Sequence, residues 1–295
     1  MRSETFATPG AVRLNLELPA GKIEVETGNT DETHVELEAL STQDAVRELV
    51  AKSRIELLRR GDGHEVVVEV PMRGGFYFSL SRGPDIRFGG PEIRLRITCP
   101  KGAELDVGTK SADIEARGEY GSVEVKTASG DVNVQDAAGD VRVKTASGDV
   151  HFEKVDGRLD VHSASGDLHV RAVTRETQVQ LVSGDLFIGE AGGSVSANTV
   201  SGDHRIEAVL QGRVELRAIS GDISVGIPRG TRLFVDANTV SGSTSSEVEL
   251  GDDPGQESEP GGPLVEVFAK TVSGVIRIER ASARHTATAE LSEQP

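Results

Sequence analysis

The chain has 295 residues, with eight Phe, two Tyr, one Cys and a formal net charge of −16. This acidity argues against binding to nucleic acid or to an anionic membrane surface, because phosphate contacts need Lys and Arg, and a single cysteine excludes an internal disulfide bond. The N-terminus lacks the apolar run of a signal peptide and no stretch has the roughly 18–20 apolar residues of a membrane span, so we expect a cytoplasmic protein without direct membrane insertion.

Residues 1–100 form a strand-rich region that we expect to cap one end of the repeat that follows. Apolar residues alternate with polar ones over 11–40, which predicts strands. Ser41 and Asp44 have capping-box-like spacing and precede apolar residues that share one helix face, which predicts a short helix over 42–52.

A loop rich in Gly and aromatic residues is predicted at 72–90. It holds four of the ten aromatic side chains: Phe76, Tyr77, Phe78 and Phe88. Exposed aromatics on a Gly-rich loop are typical of a contact surface, so these four are the candidate partner contact. Capping of the open end of the repeat is the alternative for the same residues.

Twelve consecutive nine-residue units run from Lys101 to Ala208 and define the predicted solenoid, which we place at 101–250. Position 7 of the unit is apolar in all twelve, and position 3 is Gly in nine. Position 5 is apolar in ten and departs from the pattern only at Thr177 and His204. A fixed period of this size indicates stacked repeats, since one unit cannot bury its apolar face alone.

One coil is predicted to contain two units, because the Ser-Gly-Asp signature recurs every 18 residues. The sequence therefore predicts an all-β, single-stranded parallel β-solenoid with two strands per coil, although 18 residues could also make three short sides. Positions 5 and 7 are expected to point inward. The residues at position 1 of the Ser-Gly-Asp units are expected inside the corner: Ala128, Ala146, Ala164, Val182 and Val200.

The repeat loosens after Ala208, where the Ser-Gly spacing grows to 19, then 21, then 32 residues. The excess predicts an acidic Gly/Pro loop at 251–263, a last coil at 264–280 and a disordered tail at 281–295. Open strand edges at the two ends of a solenoid can recruit other chains, so end-to-end self-association is one alternative for this protein.

Aspartates occupy position 4 of successive Ser-Gly-Asp units and predict a ladder of carboxylates along one edge. The ladder includes Asp131, Asp149, Asp167, Asp185 and Asp203. In one interpretation the side chains accept hydrogen bonds from turn amides. In the other they bind cations, although the Gly-Gly-x-Gly-x-Asp pattern of calcium-binding repeats is absent.

Neither histidine nor serine forms a recognisable catalytic set. His151 and His169 hold equivalent outward positions in successive coils and are expected to stack, but no third column supplies a metal ligand. The serine column lacks a neighbouring histidine column, and a nucleophile needs a base. We therefore expect no catalytic residues, no cofactor and no enzymatic activity.

The Ser-Gly-Asp-[Val/Leu]-x-[Val/Ile] coils, preceded by a strand-rich segment, resemble a bacterial family catalogued as domain of unknown function 4097, also called toastrack or putative adhesin. The resemblance covers roughly residues 10–280. It implies a parallel β-solenoid without known catalysis, from a family often associated with envelope-stress or membrane-linked regulation.

The predicted function is a non-enzymatic scaffold or protein-interaction module with a protein partner. Uniform coils leave no deep groove, and ligand sites are normally concave. The alternatives are a carbohydrate-active β-helix enzyme, which would need a carboxylate-lined cleft between long loops, and a cation-binding or self-assembling repeat protein.

Overall fold

The computed structural model describes residues 1–71, 93–248 and 262–281. Within this part the chain forms two compact units, Met1–Gln135 and Asp136–Pro295. The predicted contact residues Phe76, Tyr77, Phe78 and Phe88 lie outside the described residues. Residues 251–261 of the predicted acidic loop and residues 282–295 of the predicted tail also lie outside them.

The first unit contains the chain's short helix and its antiparallel strands. Its elements, in order, are β1 (Arg2–Ala7), β2 (Val12–Gly28), β3 (Glu32–Ala39), α1 (Asp44–Lys52), β4 (Arg54–Arg60), β5 (Gly63–Glu69), β6 (Ile93–Pro100), β7 (Glu104–Tyr120), β8 (Val123–Ser129) and β9 (Val132–Ala137), which ends just past the unit. The helix buries Val46 and Val50 and lies against β3.

Parallel winding begins inside the region that the sequence assigns to the cap. The 17-residue strand β2 pairs in parallel with β7, with Leu14 opposite Leu105 and Ile23 opposite Ile114. The other edge of β2 pairs in parallel with β5 and β6. Antiparallel strands then complete the cap: β4 pairs with β5, β3 with β6, and β1 with β3.

The second unit is a stack of two-stranded coils. Its strands are β10 (Val141–Ser147), β11 (Val150–Val155), β12 (Leu159–Ser165), β13 (Leu168–Val173), β14 (Thr177–Ser183), β15 (Leu186–Ala191), β16 (Val195–Ser201), β17 (His204–Val209), β18 (Gly212–Ser220), β19 (Ile223–Ile227), β20 (Arg232–Ser241), β21 (Thr244–Ser246), β22 (Leu264–Ser273) and β23 (Ile276–Arg280).

The coils repeat every 18 residues, as predicted. Val143 pairs with Val161, and Val161 with Val179, in parallel register, so matching side chains form columns about 4.8 Å apart per coil. These valines are fully buried. The predicted fold class is thus confirmed: an all-β parallel solenoid with two strands per coil and an N-terminal β-rich cap that contains one helix.

The last coil along the chain is not the last coil in space. Strand β22 pairs in parallel with β18 on one edge and with β20 on the other, while β23 lies between β19 and β21 in the same way. The core residues Val265 and Val267 of β22 are fully buried, whereas the equivalent Leu233 and Val235 of β20 are half-buried. The coil at 232–246 therefore forms the outer end of the second unit.

Candidate functional site

The Ser-Gly-Asp turns of the second unit form one continuous edge, which we call the Ser-Gly-Asp edge. Its turns lie at 147–149, 165–167, 183–185, 201–203 and 220–222. The glycine of each turn is required by the stacking. Gly184 has a φ of +133°, and a Cβ there would overlap the carbonyl of Gly166 in the neighbouring coil. Only Gly tolerates this close approach.

The aspartates of this edge bond the coils together. The Oδ1 atom of each accepts the backbone N–H of the aspartate one coil further on, at N···O distances of 2.7–2.9 Å: Asp149 from Asp167, Asp167 from Asp185, Asp185 from Asp203, and Asp203 from Asp222. Asp222 accepts from Val275 in the next coil in space, at 2.8 Å. This amide, and then the nearby Arg277 guanidinium, holds the pKa of Asp222 below its ordinary value.

These hydrogen bonds offset the repulsion between neighbouring carboxylates of the ladder. Carboxylates at the spacing of neighbouring strands repel one another, and each amide bond places a positive dipole end between two of them. In the first unit, Asp113 accepts from Asp131 in the same way, at 3.1 Å. The described residues contain no group of three His, Cys, Asp or Glu side chains suited to a metal ion. Cation binding stays the untested alternative for the ladder.

Hydroxyl groups support the same turns from inside. Thr145 and Ser163, at position 9 of their units, are buried, and each donates a hydrogen bond of 2.9 Å to the carbonyl of the serine two residues later. Position 9 therefore continues the inward alternation of positions 5 and 7. The hydroxyl column holds the turn in place and does not form an exposed surface.

The residues at position 1 are not inside the corner, so this prediction was wrong. Inward-facing positions 5, 7 and 9 leave the next residue pointing outward. Ala146, Ala164, Val182 and Val200 are exposed, and Ala128 is half-buried. The alternation of side chains along a strand already indicates this outward orientation in the sequence. Small apolar side chains are usually buried, but here the alternation of the strand overrides that tendency.

This outward column makes an exposed aliphatic stripe along the second unit. Five side chains in five spatially successive strands, β14, β16, β18, β22 and β20, are 47% to 83% exposed: Val182, Val200, Ile219, Val272 and Val240. The stripe is continuous only because β22 lies between β18 and β20. Each aliphatic residue precedes the exposed serine of its own turn by one position.

An aromatic stack lies on the outer face of the same unit. The rings of His151 and His169 stack with centroids 4.9 Å apart, as expected, and Phe187 extends the stack at 4.3 Å from His169. Burial, and then the neighbouring His151, lowers the pKa of His169. Because Phe187 is a member, the column is a packed ladder of aromatic rings.

Two polar side chains, Thr177 and His204, lie in the core at position 5, where the repeat predicts an apolar residue. His204 occupies position 5 and is 1% exposed. Its Nε2 atom lies 2.6 Å from the Thr199 hydroxyl, and its buried Nδ1 atom has no hydrogen-bond partner among the described residues. Burial lowers the pKa of His204 to about 4. The sequence marked this position only as a departure from the repeat.

Neither the cysteine nor the serine column is arranged as a nucleophile. Cys99 is fully buried, and burial raises the pKa of its thiol to about 12, which keeps it protonated and unreactive. The serines Ser165, Ser183 and Ser201 are exposed, and their column is flanked by the aliphatic and aspartate columns.

Comparisons with known proteins agree with this architecture. A family model described as Toastrack DUF4097 matches residues 13–282. No curated protein matches the chain. Among the described residues, no helix is long and apolar enough to pass through a membrane.

Three solved structures are similar over nearly the whole chain. A putative cell adhesion protein from Clostridium sporogenes is 12% identical, with 95% of this chain and 99% of that chain covered and a TM-score of 0.26. A putative adhesin from Bacteroides fragilis is 14% identical, with 94% and 96% covered and a TM-score of 0.43. A putative lipid binding protein from Parabacteroides distasonis is 13% identical, with 94% and 96% covered and a TM-score of 0.43.

Proposed function

The chain belongs to the Toastrack DUF4097 family, and we propose that it is a non-enzymatic scaffold that binds a protein partner through the exposed aliphatic stripe. The observation that carries this proposal is the stripe itself: five branched aliphatic side chains lie in register along one edge and are exposed. Single exposed apolar residues are ordinary, but a contiguous row of them is typical of an interaction site.

The surroundings of the stripe indicate the chemistry of the partner. Three of the five stripe residues, Val182, Val200 and Ile219, are followed three positions later by an aspartate of the Ser-Gly-Asp edge. The chain as a whole carries a net charge of −16. A partner with an apolar ridge flanked by Lys or Arg would bury the aliphatic row and meet the carboxylates with opposite charge. The proposed occupant is therefore a basic, amphipathic protein segment.

Capture of partners from a native lysate by matched baits tests the proposal. One variant carries Val200→Ser and Ile219→Ser, which remove the centre of the stripe without touching an inward side chain. The control carries Gln178→Ser and Gln180→Ser, two exposed residues on the outer face of β14. We expect a protein captured by the wild type and the control to be lost from the stripe variant. Equal capture by all three baits, or by none, would contradict the proposal.

The aromatic residues at 72–90 stay a second predicted contact and are tested separately. A bait in which this loop is replaced by Gly and Ser should lose a captured protein if Phe76, Tyr77, Phe78 and Phe88 bind it. Loss in the loop variant together with retention in the stripe variant would move the contact from the stripe to the loop.

The proposal includes a cytoplasmic location, which we expect from the sequence, and a link to envelope-stress regulation, which the family resemblance implies. Cell fractionation with an antibody against the chain tests the cytoplasmic location. The link to envelope-stress regulation predicts that deletion of the gene changes the transcriptional response to cell-wall antibiotics. An unchanged response would remove this part of the proposal and leave the stripe as a contact.

A further inference from the structure

Strand β20 has an open edge that is longer and carries fewer charges than the edge strand β4. Among the described residues its only strand partner is β22, so one side of its ten residues carries unpaired backbone groups. Natural edge strands are usually short or carry several charges, which prevents pairing with other chains. The edge strand β4 follows that rule, with Arg54, Glu56, Arg59 and Arg60 among seven residues. Strand β20 is long and has only Arg232 and Asp236.

The backbone of β20 presents a regular set of groups to this open edge. The N–H of Arg232 donates to the Pro263 carbonyl next to β22, at 2.9 Å. Because backbone direction alternates along a strand, the N–H and C=O groups of Leu233, Val235 and Ala237 point away from β22. The same three side chains face the half-open end of the core, where each is only partly buried.

The sequence of β20 is self-complementary in one antiparallel register. If Phe234 lies opposite Phe234 of a second copy, Arg232 lies opposite Asp236 of that copy, and Asp236 opposite its Arg232. Leu233 then pairs with Val235, and these are residues whose backbone groups both face the edge, as a hydrogen-bonded antiparallel pair requires. Arg232, Phe234 and Asp236 share the outer face of the strand, so both ion pairs flank a central aromatic pair.

The described residues leave these side chains available for such a contact. Phe234 is 52% exposed, although its ring packs at 5.7 Å from that of Phe268. The Arg232 Nε atom donates to the Gly262 carbonyl, and Asp236 accepts only from Asn238 in its own strand. Neither charge has an ion-pair partner among the described residues. We propose that two copies of the chain form a two-fold symmetric dimer by antiparallel pairing of their β20 strands in this register.

The dimer forms through the open edge of β20, and only the end residue of the stripe, Val240, lies on that strand. The other four stripe residues lie on β14, β16, β18 and β22, so the dimer can exist whether or not the proposed partner does. Sedimentation equilibrium of the full chain should give twice the monomer mass of 31.2 kDa. Asp236→Arg, which places two Arg residues opposite each other at both ends of the pair, should weaken dimerisation at least tenfold. Arg232→Asp should do the same.

The doubly exchanged variant separates this register from any other explanation. A chain with Arg232→Asp and Asp236→Arg keeps both cross-copy pairs with their signs reversed, and we expect it to dimerise like the wild type. A wild type that is monomeric at all concentrations would overturn the proposal. So would single variants that dimerise normally, or a double variant that remains as weak as the single ones. Val200→Ser with Ile219→Ser should leave the dimer unchanged.

Discussion

The buried histidine should make the stability of this protein depend on pH between about 4 and 6.5. Burial lowers the pKa of His204 from 6.5 to about 4, so the folded state holds the neutral ring while the unfolded chain takes up a proton below pH 6.5. The unfolded state therefore binds more protons in this window. The contribution of the neutral ring to stability is complete above pH 6.5 and is lost as the pH falls towards 4.

The size of the effect follows from the shift. A difference of 2.5 pKa units corresponds to about 2 kcal/mol of lost stability at pH 5 and about 3 kcal/mol at pH 4. Replacing His204 with Leu, the residue at the equivalent position 186 in the neighbouring coil, removes the titration. The free energy of unfolding of the variant minus that of the wild type should be higher at pH 5 than at pH 7.5 by about 2 kcal/mol, and higher at pH 4 by about 3 kcal/mol.

Urea unfolding followed by circular dichroism measures this difference. The conservative variant Ile223→Leu, in the same core column as His204, changes packing without changing a titratable group, so its difference from the wild type should not vary with pH. A His204→Leu difference that is equally flat would refute the assignment of a buried, neutral ring.

Three further predictions concern the Ser-Gly-Asp edge. Gly184→Ala should lower the free energy of unfolding by about 2 kcal/mol or more, since its Cβ would overlap the Gly166 carbonyl, whereas Gly28→Ala meets no atom within 4 Å and should be nearly neutral in the same urea titration. Asp185→Ala should cost about 1 kcal/mol because the Asp203 amide loses its acceptor. Asp185→Asn, which keeps an acceptor oxygen, should cost less, and equal losses would contradict this role. Finally, millimolar calcium should leave the melting temperature of the wild type unchanged, and a clear rise would support the cation interpretation of the ladder.

The repeat in the sequence was sufficient to predict the coil. Nine-residue spacing of apolar residues requires a regular stack, and Val143, Val161 and Val179 pair as that spacing demands. The aspartate ladder could also be placed, because parallel strands in register bring equivalent residues together.

The order of the outer coils could not be predicted from the repeat. Spacing between Ser-Gly pairs shows that extra residues are present after Ser220 and Ser241, but it does not show which coil stacks on which. That choice depends on burial. The strand at 264–273 has an apolar, fully buried core row, whereas the strand at 232–241 tolerates a half-open one.

The exposed stripe was missed for a related reason. Its members are ordinary core residue types, and only the parity of the strand distinguishes Val182 and Val200, which face outward, from Val179, which faces inward. His204 was visible as a break in the pattern, but its burial and its contact with Thr199 depend on the three-dimensional position of the turn.

Engineered disulfides test the coil order, and hence the continuity of the stripe, most directly. Neighbouring parallel strands place equivalent Cα atoms about 4.8 Å apart, within the range that a disulfide spans. In a chain with Cys99→Ala, the pairs Ile219→Cys with Val272→Cys, and Val272→Cys with Val240→Cys, should each form an intramolecular disulfide on mild oxidation, as judged by mass spectrometry of peptides. Ile219→Cys with Val240→Cys should not, because β22 separates them. Rapid oxidation of this third pair with none in the first two would contradict the stack and the stripe built on it.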